Sequence, residues 1–231
     1  MIIVNIITFI NNLLFLIREV ILMSTIDQFY AAYDTKLRAL INKVKQDQLL
    51  VMAELTPEEK EIAMIMTKAG VLEDIANRVL VTKDAPLNDF LIRQLVLGQG
   101  IYTGNTALYL WQLSDTFPYT IQLAVRLGYQ KPGHRYAEWT QNVQFKQVRK
   151  PRLTEDVEKI SITGTTRKIR VYSRERVLTE LVKPANRDPE LLKESFRRYL
   201  RSPQRNLNKL MATAQRLRRA NQVQELVGIM L

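Results

Sequence analysis

The chain has 231 residues, 46% apolar and 25% charged, the balance of a globular protein long enough for two small domains. It contains no cysteine and one histidine, His134, which removes disulfides, zinc–cysteine sites, iron–sulfur clusters, cysteine nucleophiles and two-histidine metal helices. The net charge is +11 and sits in one half: residues 99–231 hold 24 basic and 11 acidic side chains, residues 1–98 hold 10 and 12, and such a field favours polyanions, nucleic acid first.

Met1 to Met23 holds 17 apolar residues, broken by Asn5, Thr8, Asn11, Asn12, Arg18 and Glu19. Its longest charge-free run is 17 residues, short of the roughly 20 that cross a bilayer. No basic leader or small-residue cleavage site marks a signal peptide. The expectation is therefore that Met23-Ser24 is the natural start and residues 1–22 are an apolar leader outside the natural protein. A membrane-tethered or partner-binding helix is the alternative.

From Thr25 the apolar positions Phe29, Tyr33, Leu37, Leu40, Ile41 and Val44 recur at helical spacing. Thr56-Pro57-Glu58-Glu59 starts a second helix, with threonine as cap, proline in the first turn and acids at the positive dipole end. That helix carries Ile62, Ile65 and Met66 and stops at Gly70. Short apolar runs at 71–72 and 75–81 surround Asn77-Arg78, a dipeptide expected to turn a two-stranded wing. Short helices followed by a β-ribbon are the parts of a winged helix-turn-helix, here degenerate, within a domain spanning 23–98. Leu87 to Leu97, between Pro86 and Gly98, is expected as a helix bridging to the next domain.

Gly98-Gln99-Gly100 and Gly104 do not make a dinucleotide loop, because the third glycine is one residue late and the run follows a helix. Thr103 is expected instead to cap a helix through Ala107, Leu108, Leu110, Trp111 and Leu113. Strands follow at 121–127, 143–148, 160–162 and 169–171, the last two joined by a turn at Gly164. His134 lies in a turn-like stretch and reads as solvated. Helices return behind Ser173, Asp188-Pro189 and Asn206, and a last helix buries Val223, Leu226, Val227 and Met230. The fold class is α+β: the winged helix-turn-helix, then a mixed α/β domain over 99–231 that ends in a helical bundle.

Catalytic chemistry is thin. The acidic pairs Glu58-Glu59 and Glu155-Asp156 read as solvated, and the glycine-rich acidic context of nucleotidyl transfer is missing. The reading is of no enzyme, no metal and no cofactor. The C-terminal face is different: Arg197, Arg198, Arg201, Arg205, Lys209, Arg216, Arg218 and Arg219 lie within 23 residues, and arginine forks match phosphate oxygens bidentately. The candidate DNA contacts are Lys60, Lys68, Arg78 and Lys83 on the reading helix and wing, with Arg201, Arg205, Lys209 and Arg216 holding phosphates.

Three segments resemble a known family. Gly100-Ile101-Tyr102 through Thr106-Ala107-Leu108-Tyr109-Leu110 to Leu113-Ser114-Asp115 is similar to the central signature of AbiEi-type antitoxins of bacterial abortive-infection (type IV toxin–antitoxin) systems. Val171-Tyr172-Ser173-Arg174-Glu175-Arg176-Val177-Leu178 resembles a second segment of that family. Arg198-Tyr199-Leu200-Arg201-Ser202 with Asn206-Leu207 and Leu210-Met211 resembles its closing helices. The resemblance covers about residues 86–231. Lys68 to Glu73 and Arg78 are similar to its N-terminal helix end and wing, while Pro57-Glu58-Glu59 replaces its Gly-Ile-Ser turn, and Val177 and Glu180 stand where it usually has threonine and aspartate. The resemblance implies a cytoplasmic antitoxin that binds operator DNA to repress its own operon. It also implies neutralisation of a nucleotidyltransferase toxin without obligatory contact. The alternative is an interaction protein that does not bind DNA and acts through its C-terminal domain only.

Overall fold

The structure, a computed structural model, describes residues 2–86, 88–133, 136–183 and 188–230, with side chains from residue 15. His134 and Leu87 lie outside the described residues. The chain divides into two compact units, Met1–Ala85 and Pro86–Leu231.

The first unit opens with α1 (Ile2–Asp47), one uninterrupted helix of 46 residues. The sequence reading separated residues 1–22 from a helix starting near Thr25, but no proline or glycine interrupts this stretch. Thr25 Oγ1 donates back to Ile21 O at 2.8 Å instead of capping a new helix. Residues 15–36 are exposed, and only the last turns pack, through Leu37, Leu40 and Val44. Gln48, at φ 56°, reverses the chain into β1 (Leu49–Val51). One 3-10 turn (Met52–Glu54) leads to α2 (Pro57–Lys68).

α2 begins as expected. Thr56 Oγ1 accepts from Glu59 N at 3.2 Å and Glu59 Oε2 accepts from Thr56 N at 2.9 Å, a complete capping box. Then come β2 (Leu72–Ile75) and β3 (Val79–Thr82), forming an antiparallel sheet in the order β1-β3-β2. The hairpin turns at Ala76-Asn77, one residue before the expected pair. Both have positive φ (56° and 51°), and Arg78 N closes the turn on Ile75 O at 3.0 Å. Leu40, Leu50, Ile62, Ala63, Leu72 and Leu80 form the core beneath it.

The second unit opens with α3 (Asp89–Leu97), capped by Asn88 and ended by Gly98 at φ 65°. Read as a bridge, α3 packs against strand and helix of this unit. Its sheet contains β4 (Ile101–Tyr102), β5 (Ile121–Arg126), β6 (Val143–Val148), β7 (Val157–Ser161) and β8 (Lys168–Tyr172), in the order β6-β5-β4-β8-β7. β5–β6 and β4–β8 are parallel; β4–β5 and β7–β8 are antiparallel. β4 has two residues only. Beside it the Gln94 side chain behaves as a piece of strand: Nε2 donates to Arg170 O at 2.7 Å and Oε1 accepts from Arg170 N at 2.9 Å.

Helix α4 (Gly104–Leu110) is shorter than the expected one. Gln112, at φ 58°, stops it, with Leu113 N on Leu108 O at 2.8 Å and Gln112 N on Tyr109 O at 2.9 Å, so Trp111 and Leu113 lie beyond its last turn. Thr103 sits at the cap position but its hydroxyl makes no cap bond; Gln122 Oε1, from β5, accepts from Asn105 N at 2.7 Å. A short helix, α5 (Ala137–Thr140), precedes β6. After β8 come α6 (Arg174–Leu181), α7 (Pro189–Arg201), α8 (Leu207–Arg216) and α9 (Ala220–Met230), the first three capped by Ser173, Asp188 and Asn206 as expected. α6 packs on α4, α7 and α8, and α9 packs on α7 and α8.

Candidate functional site

In the first unit, α2 presents Glu58, Glu61, Met64, Ile65 and Lys68 to solvent, while Lys60 is half-buried on its flank. Glu59 is drawn in by Lys43 of α1 at 2.6 Å; the Lys43 ammonium and the Thr56 amide hold its carboxyl below the ordinary value. Arg78 and Lys83 flank opposite ends of β3, so the structure separates them by the length of that strand. These four candidate contacts share one compact unit, and α2 carries Glu58, Glu59 and Glu61 beside Lys60 and Lys68.

The second unit sorts its cations into two groups. Lys209 Nζ is tied to Glu158 and, at 3.1 Å, to Glu175; burial opposes its charge, but the two carboxylates hold the ammonium above its ordinary value. Arg216 is tied to Asp156, which raises its pKa, with Glu155 at 3.9 Å. The pair Glu155-Asp156 is therefore not merely solvated: it anchors α8 to the start of β7. Arg198 bridges Asp115 and Glu194. Arg201 and Arg205 are exposed, Arg205 donating to Leu200 O at 2.6 Å.

Sequence reasoning missed a buried charge network. Arg176 is 3% exposed. Its Nη1 donates to Arg152 O and Glu155 O, both at 2.7 Å, and its Nε to Glu180 Oε1 at 3.3 Å. Its guanidinium lies 3.5 Å from the Tyr172 ring centre, and burial pushes that phenol up to about 12. Lys146 of β6 completes the network, 2.5 Å from Glu180 Oε2. Burial works against the Glu180 charge, yet Lys146 and Arg176 hold its carboxyl below the ordinary value. The i,i+4 spacing of Arg176 and Glu180 was the available signal, but the same spacing marks ordinary solvated pairs.

Beside this network lies a cleft of about 580 Å3 lined by Thr103, Asn105, Gln122, Gln144, Glu180 and Lys183, among others. Its polar groups are largely turned on one another. Gln122 Nε2 donates to Gln144 Oε1 at 2.8 Å, and Glu180 is held by Lys146. Burial lowers the Lys183 pKa. Among the described residues the Glu180 carboxylate of the cleft is thus held by Lys146 and Arg176. Among the described residues no cluster of His, Asp or Glu could hold a metal ion, and no helix is long and apolar enough to cross a membrane.

The three segments around Leu113-Ser114-Asp115, Tyr172-Ser173-Arg174-Glu175 and Arg198-Tyr199 meet. Trp111 Nε1, just past α4, donates to Tyr172 O at 2.7 Å, and the Arg174 guanidinium lies 4.1 Å from the Trp111 ring centre. Asp115 accepts both arms of Arg198. Tyr199 OH donates to Glu175 Oε1 at 2.9 Å and accepts from Asn206 N at 2.9 Å. No family model matches the chain, and no characterised protein matches its sequence.

Proposed function

We propose that this chain is an AbiEi-type antitoxin, which neutralises a nucleotidyltransferase toxin in the cytoplasm and represses its own operon. The observation that carries the reading is the interlocking of the three segments that resemble the family. Asp115 and Arg198, Tyr199 and Glu175, all within those segments, bond to one another across 83 and 24 positions of chain, and Trp111, beside the first segment, donates to Tyr172 across 61. Such ties hold the three segments to one another as parts of a single packed arrangement.

The first unit supports the DNA-binding half of the proposal. A helix, a short strand with one 3-10 turn, a second helix and a β-hairpin follow in the order of parts from which winged-helix domains set a helix in the major groove. In this reading Lys60, Lys68, Arg78 and Lys83 face DNA, and Met64 and Ile65 offer apolar contact to thymine methyl groups.

The test is co-expression of the intact chain with a nucleotidyltransferase toxin from a neighbouring gene, alongside a reporter behind the operon's promoter. Growth restored and reporter repressed is the expected result. A folded chain that leaves growth arrested overturns the antitoxin reading. Rescue without repression selects the second reading, an interaction protein that does not bind DNA. Glu58 and Glu61 on the exposed face of α2 favour that second reading, since they repel phosphates.

A further inference from the structure

Between α7 and α9 runs a groove of about 700 Å3 that differs from the remaining cationic surface. Its floor is apolar: Leu192 and Leu200 from α7, Leu226 and Ile229 from α9, with Ile229 74% exposed. Its rim is Lys193, Arg197 and Arg201, with Arg205 just beyond, all exposed. Among the described residues Lys193, Arg197 and Arg201 have no ion-pair partner, in contrast to Arg198, Lys209 and Arg216.

The spacing of these cations is informative. Steps of four residues place Lys193, Arg197 and Arg201 along one line of α7, roughly 6 Å apart. Like charges at this spacing weaken the helix that carries them, so the row does nothing for α7 itself. A ligand must satisfy both the charge and the floor. Duplex phosphates would meet the charge and leave Ile229 in water, because the DNA backbone offers no apolar side. A single anion would answer one cation of the row and leave the floor bare, and a lone acyl chain would cover the floor and answer none. A helix with acids at four-residue spacing beside an apolar stripe answers all of them at once.

We propose that the α7–α9 groove docks an acidic amphipathic helix of a partner protein. The apolar stripe of that helix lies on Leu192, Leu200, Leu226 and Ile229, and its carboxylates pair with Lys193, Arg197, Arg201 and Arg205. The guanidinium forks donate in bidentate geometry to carboxylate oxygens, and the exposed Ile229 supplies the apolar anchor.

The probe is a fluorescein-labelled 18-residue peptide with leucines on one helical face and glutamates flanking it, titrated with the intact chain and read by fluorescence anisotropy. Saturable binding in the range of about 10–100 μM is expected. Replacing Arg197 and Arg201 by alanine should weaken it at least tenfold, and so should Ile229→Ser, which leaves the charges in place. All three positions are exposed, and an unchanged thermal midpoint keeps the variants comparable. A peptide with glutamine for glutamate should bind at least tenfold more weakly. No saturation up to roughly 1 mM, the weak limit of recognition, overturns the proposal. It is equally overturned if Ile229→Ser leaves binding unchanged while the arginine pair governs binding to duplex DNA or to phosphatidylserine vesicles; the row is then a general anion surface. Neither growth rescue nor repression enters this measurement.

Discussion

Gly104 holds φ 53°, and a methyl group there would stand 1.9 Å from Gln122 Oε1, the acceptor for the Asn105 amide in the first turn of α4. Gly104→Ala should therefore destabilise the second unit by about 1–3 kcal/mol, read as a lowered urea midpoint, because the backbone is strained and the Gln122 amide must leave Asn105. Trimming Gln122 to alanine in the same chain should not restore stability, since the strain stays and the amide of Asn105 remains without its partner. Glu180 gives a pH-dependent case. Its carboxyl ionises below the ordinary 4.5 in the folded chain, so its contribution is complete above that pH and is lost as pH falls from there through the lowered value. Glu180→Gln should cost about 3 kcal/mol near neutrality, by leaving Arg176 buried beside a neutral amide. The gap between variant and parent in urea midpoint should then shrink as pH falls below the ordinary 4.5. None of this was legible in the sequence. A helix behind Ser173 was expected, but beside Val177, Leu178 and Leu181 it also buries Glu175, Arg176, Thr179 and Glu180, residue types that ordinarily face water. α6 is covered on several sides, by α4, α7 and α8, so a one-sided pattern describes only half of what it buries.

Local chemistry at the ends of elements was more legible. Proline with acids behind Thr56, asparagine before Leu207 and glycine after Leu97 act at short range, and the structure carries each through. Alternation likewise located β5 and β6, because each pairs along its whole length. What escaped were elements whose existence depends on distant partners: β1, with three residues, exists through β3, and β4, with two, exists through β5 and β8. The hairpin of the first unit slipped by one position because Ala76 carries no turn signature. Ala76 at φ 56° occupies a left-handed position that glycine fills without cost. Ala76→Gly should raise the stability of the first unit by up to about 1 kcal/mol, with the thermal midpoint rising by a few degrees. Thr56→Ala, removing one half of the capping box, should lower it by about 1 kcal/mol.

At the scale of the whole chain, the position of the division matters more than its existence. The sequence placed the domain boundary at 98/99, after the α3 helix; the compact units part between Ala85 and Pro86. Phe90, Leu91, Ile92 and Val96 are buried, Tyr102 OH donates to Phe90 O at 2.6 Å, and the Gln94 amide closes on Gly100 and Arg170. A fragment of residues 86–231 should fold cooperatively. One of residues 99–231 should lose the near-ultraviolet circular dichroism of its aromatic core, having left Tyr102 and Arg170 without their partners. Equal stability of the two fragments would show that α3 is dispensable.

The Gln94–Arg170 bond also sets a clock for synthesis. It joins residues 76 positions apart, so α3 leaves the ribosome well before the strand it completes. At the usual pace of elongation that interval is roughly 4–15 seconds. During it the apolar face of α3 has no sheet to lie on, whereas every residue of the first unit has already been made. The nascent chain therefore carries a finished N-terminal unit and an unfinished, adhesive middle, and this window is where a chaperone would have most to protect.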